Sequence, residues 1–206
     1  MLSGGKASHK KAGLRARAAG FLADRRGVAA IEFAFMVPVL LVMYLLSMEA
    51  YQAIETSKKV ARVGSMVADL VTQQQSVSTA DLAAIMKIGE STMQPYNRSM
   101  PKVVITAIQM DSDEEAPQAQ IVWSYQMENG IYGPSPGASN SIPSALKTPN
   151  AFLIRVQSTL DYKPIMTWSG DSEQKPGFLD VFGSLAMGQT YYLRPRMSLT
   201  IPCTDC

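Results

Sequence analysis

The longest apolar run in the chain is Val28 to Met48, VAAIEFAFMVPVLLVMYLLSM, and Glu32 is its only charged residue. At 1.5 Å per residue a helix of these residues is about 31 Å long, the thickness of a bilayer core. From Ala53 onward the pattern changes. Ala53, Val60, Val63, Val67, Leu70 and Val71 fall in one stripe at 100° per residue, with Glu55, Lys58, Arg62 and Asp69 on the opposite side. The pattern predicts one helix from Val28 to about Gln73, half in lipid and half packed on a soluble domain. Gln73-Gln74-Gln75-Ser76 ends it. Ser78-x-x-Asp81 resembles a capping box and opens a second amphipathic helix, with Leu82, Ile85 and Met86 inward and an end near Met93, before Pro95.

After Pro101 the period falls from 3.6 to 2. Val103 to Met110 reads as a first strand, and Ile121, Trp123, Tyr125 and Met127 alternate with polar residues in a second. Phe152, Ile154, Val156, Leu160 and Tyr162 alternate with Arg155, Gln157, Thr159 and Asp161 in a third. Tyr191, Leu193, Met197, Leu199 and Ile201 form the inward set of a fourth, where Pro195 predicts an edge or a bulge. This alternation predicts an antiparallel sheet of about four strands with one buried face, covered by the long helix: an α+β layer. Gly130 to Pro149 and Trp168 to Gly188 are rich in breakers and read as long loops.

Charge divides the chain differently. Residues 1–27 hold seven basic residues, Lys6, Lys10, Lys11, Arg15, Arg17, Arg25 and Arg26, against Asp24 alone, a net +6. The whole chain is +2, so the remainder is −4. The pI of about 8.5 is therefore a property of the leader, and no basic stripe interleaved with aromatics follows residue 63 to suit nucleic acid. The positive-inside rule places the leader in the cytoplasm and the bulk of the chain across the membrane. A secretory signal has a shorter apolar core followed by a small-x-small site; this run is longer and passes into Glu49-Ala50-Tyr51 without one. The expected organisation is a basic cytoplasmic leader (1–27), a membrane-spanning half-helix (28–48), an amphipathic half-helix (49–75) and an α+β domain (76–206).

Candidate chemistry is sparse. The only histidine is His9, in the leader, so the rest of the chain has no imidazole for metal binding or general base catalysis. There is no Ser/His/Asp or Cys/His set, no phosphate-binding glycine loop and no H-E-x-x-H. No catalytic residue, cofactor or metal site is expected, and the chain reads as a non-enzyme. Asp111-Ser112-Asp113-Glu114-Glu115 offers oxygen ligands but lacks the EF-hand spacing and turn glycine, so a solvated turn is the plainer reading beside calcium. Cys203 and Cys206 admit a redox pair, half of a shared zinc site, or a disulfide in an oxidising periplasm, the default for such a location.

An acid in a lipid-spanning helix costs ~2.5–3.5 kcal/mol at mid-membrane and less near an end. Glu32 therefore needs a reason beyond proximity to the interface. The stretch Arg26-Gly27-Val28-Ala29-Ala30-Ile31-Glu32-Phe33-Ala34, with Pro38 following, resembles the class III signal of type IV prepilins. More specifically it is similar to the TadE/TadG-like family, minor pseudopilins of the tight-adherence (Tad/Flp) pilus system. The resemblance implies a type IV pilin-like fold and cleavage between Gly27 and Val28 by a prepilin peptidase. It also implies assembly roles for Glu32, Phe33 and Pro38. The implied partners are the membrane, the peptidase, other pilins or pseudopilins and an inner-membrane platform, with the folded domain periplasmic or extracellular. After such a cut Glu32 is the fifth residue. It lies about 6 Å along the helix from the new α-amino group, placed to pair with a neighbour's amino terminus and to complement its own helix dipole. Pro38 removes one backbone donor and predicts a kink. The rival reading is a single-span anchored periplasmic binding or sensor protein that is never processed.

Overall fold

A single helix of 45 residues, α1 (Val28–Thr72), carries both patterns. The computed structural model describes residues 20, 27–96, 98–136, 139–164 and 185–206. They fall into two compact units, one ending at Met48 and the other beginning at Glu49. In the second unit the stripe read from the sequence is buried: Val60, Val63, Val67 and Val71 are wholly enclosed. The glutamine run stops the helix because it supplies no further apolar residue to that face. Ser78 then caps α2 (Thr79–Ser91). Its hydroxyl accepts from the Asp81 N–H, and the Asp81 carboxylate accepts from the Ser78 N–H, the reciprocal box expected from S-x-x-D. Leu82, Ile85 and Met86 turn inward.

The sheet comprises β1 (Lys102–Met110), β2 (Ala119–Glu128), β3 (Ile131–Pro134), β4 (Phe152–Asp161) and β5 (Ala186–Leu193). Its order is β3-β2-β1-β4-β5 and every pairing is antiparallel. Ile105 lies between Tyr125 and Val156, and Ala107 between Trp123 and Ile154, so these side chains share one face. That face and the inward sides of α1 and α2 form one core. Fully burying each Val, Leu or Ile there contributes about 1.5–3 kcal/mol. The backbone of α1 comes unusually close to the sheet at Gly64. A Cβ there would stand 2.6 Å from Ser158 Oγ and 3.0 Å from the Tyr191 ring. Ser158 uses that proximity, donating its hydroxyl to the Val60 carbonyl at 3.0 Å. The result is the α+β, pilin-like arrangement expected: a long N-terminal helix whose later half packs on an antiparallel sheet.

Four details depart from the expectation. The sheet has a fifth strand, β3, inside the stretch read as loop. Asn129 (φ 52°) and Gly130 (φ 76°) both adopt left-handed backbone, making the tight turn that folds β3 onto β2. A bulge near Trp123 shifts the register between Ala107 and Ile108, so Ile121 pairs with Ile108, opposite in facing to Trp123 and half-exposed. The last strand begins five residues earlier than Tyr191 and ends at Leu193. Arg194 and Pro195 leave the sheet, and Met197 and Leu199 are exposed, Leu199 at 92%. Gly188 accordingly belongs to β5, not to a loop; most of the Trp168–Gly188 reading lies outside the described residues.

The fourth departure concerns the sheet's second face, which is not simply solvated. Ile108, Met110 and Leu153 are buried there beneath Ile142 and Leu146. Arg155 is only 2% exposed, donating to the Ser141 carbonyl at 3.2 Å and to Thr106 Oγ1 at 3.5 Å. Among the described residues its Nε has no hydrogen-bond partner.

Candidate functional site

Gly27 directly precedes α1 and is exposed, and a Cβ at that position would meet nothing within 4 Å. Gly27 is in 3-10 conformation and α1 opens directly after it, so the expected cleavage point falls immediately before the first residue of α1. The first turn of α1 holds no acid. Glu32 lies in the second turn, where the attraction of the N-terminal dipole has largely decayed. The dipole therefore supplies little of the compensation expected for it, and among the described residues Glu32 makes no ion pair. Phe33 beside it is 64% exposed. The helix continues through Pro38, which is exposed.

This run satisfies the length and composition needed to cross a membrane, and none of its most apolar stretch is buried by the rest of the described chain. An apolar helix exposed on all sides is stable only in lipid or against other helices. What the arrangement offers is an apolar rod with one acid near its start. The basic residues of the leader lie outside the described residues.

The second unit begins with a polar cluster that the sequence did not announce. Glu49 is 5% exposed and accepts a hydrogen bond from the Tyr162 hydroxyl. Tyr96 stacks on Tyr162 with ring centroids 5.9 Å apart, and the Arg98 guanidinium lies 4.9 Å from the Tyr96 centroid and 5.9 Å from that of Tyr162. Arg98 also donates to Gln52 Oε1 at 3.0 Å. Burial, with the hydrogen bond to Glu49 and its negative charge, pushes the Tyr162 phenol well above its ordinary value, while Arg98 opposes the shift. The only signal in the sequence was the position of Glu49, directly after the apolar run.

Cys203 and Cys206 are joined by a disulfide, Cα to Cα 5.6 Å. Between them Asp205 reaches the N-terminus of α2: its two carboxylate oxygens accept from the Thr79 N–H and hydroxyl, each at 2.7 Å. Those bonds hold the Asp205 carboxyl below its ordinary value. Val77 pairs with Cys203 as an isolated parallel bridge, and the Trp123 indole donates to the Ile201 carbonyl at 2.8 Å. The acidic turn is built on its own side chains. Asp111 accepts from the Gln118 N–H at 2.9 Å, and Asp113 from the Glu115 N–H at 2.9 Å.

The family described as TadE-like protein matches residues 27–69, which takes in Gly27, Glu32, Phe33, Pro38 and most of α1. No curated protein and no solved structure matches the chain.

Proposed function

Starting from a TadE-like segment over residues 27–69, we propose that the protein is a minor pilin or pseudopilin of a Tad-type pilus assembly and secretion system. It enters the inner membrane with its basic leader cytoplasmic and its sheet domain outside. A prepilin peptidase removes the leader after Gly27. The protein has no catalytic role of its own; its work is assembly and, through the pilus, adherence.

The observation that carries this reading is an apolar helix with no cover in the described chain and a single acid at the fifth position after Gly27. The mechanism follows from electrostatics. Cleavage creates a cationic α-amino group at Val28, roughly 6 Å along the helix from Glu32. Both charges then lie near the lipid edge, and neither is compensated there. Packing beside another processed helix sets the amino group of one against the acid of the other. The pairing removes two costly charges from lipid at once and fixes the stagger between subunits. Phe33 and the neighbouring apolar side chains supply the contact area, and Pro38 frees a carbonyl that a packed neighbour can satisfy.

N-terminal mass spectrometry of the membrane-extracted protein tests the first step. The mature chain should begin at Val28. A chain that still begins near Met1 would favour the rival, an unprocessed anchor.

A further inference from the structure

We infer that the beginning of the second unit carries a binding site for the phosphate of an anionic phospholipid, held by Arg98 and Lys59. A cleft of about 500 Å³ opens there, lined by Tyr51, Gln52, Glu55, Lys59, Tyr96 and Arg98 among others. Among the described residues its two cations donate hydrogen bonds to neutral acceptors, Lys59 to the Gln94 carbonyl at 2.8 Å and Arg98 to Gln52 Oε1 at 3.0 Å. The one acid in the lining, Glu55, has Lys58 3.6 Å away, outside the cleft. The lining thus has two positive charges against one negative, and the negative one has a partner elsewhere.

Geometry along α1 sets the ligand. Tyr51 and Gln52 follow Met48 by three and four residues, about 4.5–6 Å of helix, and the headgroup layer is roughly 5–8 Å deep on each side of the hydrocarbon core. Arg98, tied to Gln52, stands beside this first turn after the apolar run. Stacking on Tyr96 and Tyr162 holds the guanidinium plane in place, leaving its other N–H groups for a forked contact to two phosphate oxygens. Lys59 lies two turns beyond Gln52, about 10 Å along the helix, and its long side chain brings a second point charge to the same cleft. Tyr51, 65% exposed, is an interfacial aromatic of the kind that sits among headgroups. The shared chemistry is a phosphate ester monoanion. The nearness of Tyr51 and Gln52 in sequence to the apolar run favours the lipid over a free ion, and competition by inorganic phosphate distinguishes the two. The inference rests on Val28–Met48 crossing the bilayer and does not depend on cleavage.

The test uses the full chain in mild detergent, with native mass spectrometry reading retained phosphatidylglycerol against phosphatidylcholine. One phosphatidylglycerol per chain should be retained in preference. Lys59→Gln should weaken retention about fivefold, and Arg98→Gln at least as much, since a Lys or Arg near an anionic surface contributes on the order of a fivefold factor in affinity. Lys58→Gln, next in sequence but outside the cleft, should change retention little. Equal losses for the Lys58 and Lys59 variants would mean diffuse attraction and overturn the site. So would equal retention of the two lipids, or full displacement of phosphatidylglycerol by millimolar inorganic phosphate. Arg98→Lys guards against misfolding: it keeps the charge and should keep part of the retention while losing the forked contact. Partition of each variant into the membrane fraction reports separately on the spanning helix. Loss there would strike the membrane reading and not the cleft.

Discussion

The two halves of α1 are made of much the same apolar residues and meet opposite fates. Before Met48, Phe33, Leu40, Val42 and Tyr44 are all more than half exposed; after Glu49, Val60, Val63, Val67 and Val71 are fully enclosed. The difference is not hydrophobicity but arrangement. The later half confines its valines to one stripe and sets Lys58 and Arg62 outside it, which suits a helix lying on a sheet in water. The earlier half has apolar residues on every side and one acid, which suits lipid or a ring of similar helices. A helix can thus serve two solvents in one unbroken run, provided the pattern changes where the solvent does.

The sharpest way to break that comparison is to place the same charge in each half. Val67→Asp buries a carboxylate in a closed core and should destabilise the domain by on the order of 4 kcal/mol or more. The full chain in detergent should then show no cooperative melt. Val42→Asp should leave the melt unchanged and instead impair insertion, by about 2.5–3.5 kcal/mol on insertion scales. Membrane fractionation measures the second effect. A lowered melt in Val42→Asp would mean that the first half also supports the domain.

The glycines of the two halves sharpen it next. Gly64→Leu must push into Ser158 and the Tyr191 ring, and overpacking of this kind costs about 1–3 kcal/mol. Gly27→Leu meets no neighbour, so thermal stability should not change. It should nevertheless stop the leader from being removed, because a peptidase pocket fitted to glycine has no room for a side chain. Uncleaved chain with a normal melt is the expected signature, read by mass spectrometry and calorimetry together.

These contrasts were partly legible in the sequence, and the reasons differ by element. The stripe from Val60 to Val71 and the Ser78–Asp81 box are local patterns, and local patterns survive folding. β3 is legible too, since Asn129-Gly130 is a strong two-residue hairpin signal, but the glycines and prolines that follow it carry the stronger loop pattern. The bulge near Trp123 was not legible, since one extra residue reverses the facing of Ile121 without altering composition. Arg155 looked like the polar half of an alternation. Its burial depends on the 139–146 segment folding over the second face, a long-range event. The Glu49–Tyr162–Arg98 cluster joins residues more than a hundred positions apart, and no spacing rule reaches that far.

Two acids of α1, Glu49 and Glu32, give a third contrast. Glu49→Ala strands the buried Tyr162 hydroxyl and should cost about 1–3 kcal/mol. Glu32→Ala should leave the melt unaltered, insert at least as well and still be processed, yet fail to co-purify with the pilus machinery. Unchanged recovery of Glu32→Ala in that complex would remove its assembly role. Tyr162 also sets an alkaline limit. Its phenol is harder to ionise folded than unfolded, so its contribution is fully present below about pH 10 and lost as pH rises toward the folded value. Tyr162→Phe should flatten that alkaline decline.

The smallest expected effect belongs to the chain end, and it tests how firmly the second half of α1 is held. The tail reaches that helix directly: Arg196 donates its N–H to the Thr72 carbonyl at 2.9 Å and its guanidinium meets Asp69 at 2.6 Å. Farther on, the disulfide loop presents Asp205 to Thr79 at the start of α2. Cross-linking cysteines three positions apart removes few unfolded conformations, less than ~2 kcal/mol in the chain-entropy model. Trp123 and Val77 hold the strand-like part of the tail without it. A Cys203→Ser/Cys206→Ser variant should therefore lose only a few degrees of melting temperature, at about 2–4 °C per kcal/mol for a domain of this size. Acid should act on the same place. The Asp205 carboxyl ionises more readily folded than unfolded, so its contribution is present above the ordinary carboxylate range and lost as pH falls through the lowered value. Asp205→Asn should abolish that small acid-side decline while leaving the disulfide intact, as thiol alkylation without reductant will report. If the double cysteine variant instead loses its cooperative melt, the tail is a structural member of the domain and the hold on α1 runs through it. If only the acid-side decline changes, the tail is a clasp on α2, and the valine stripe holds α1 by itself.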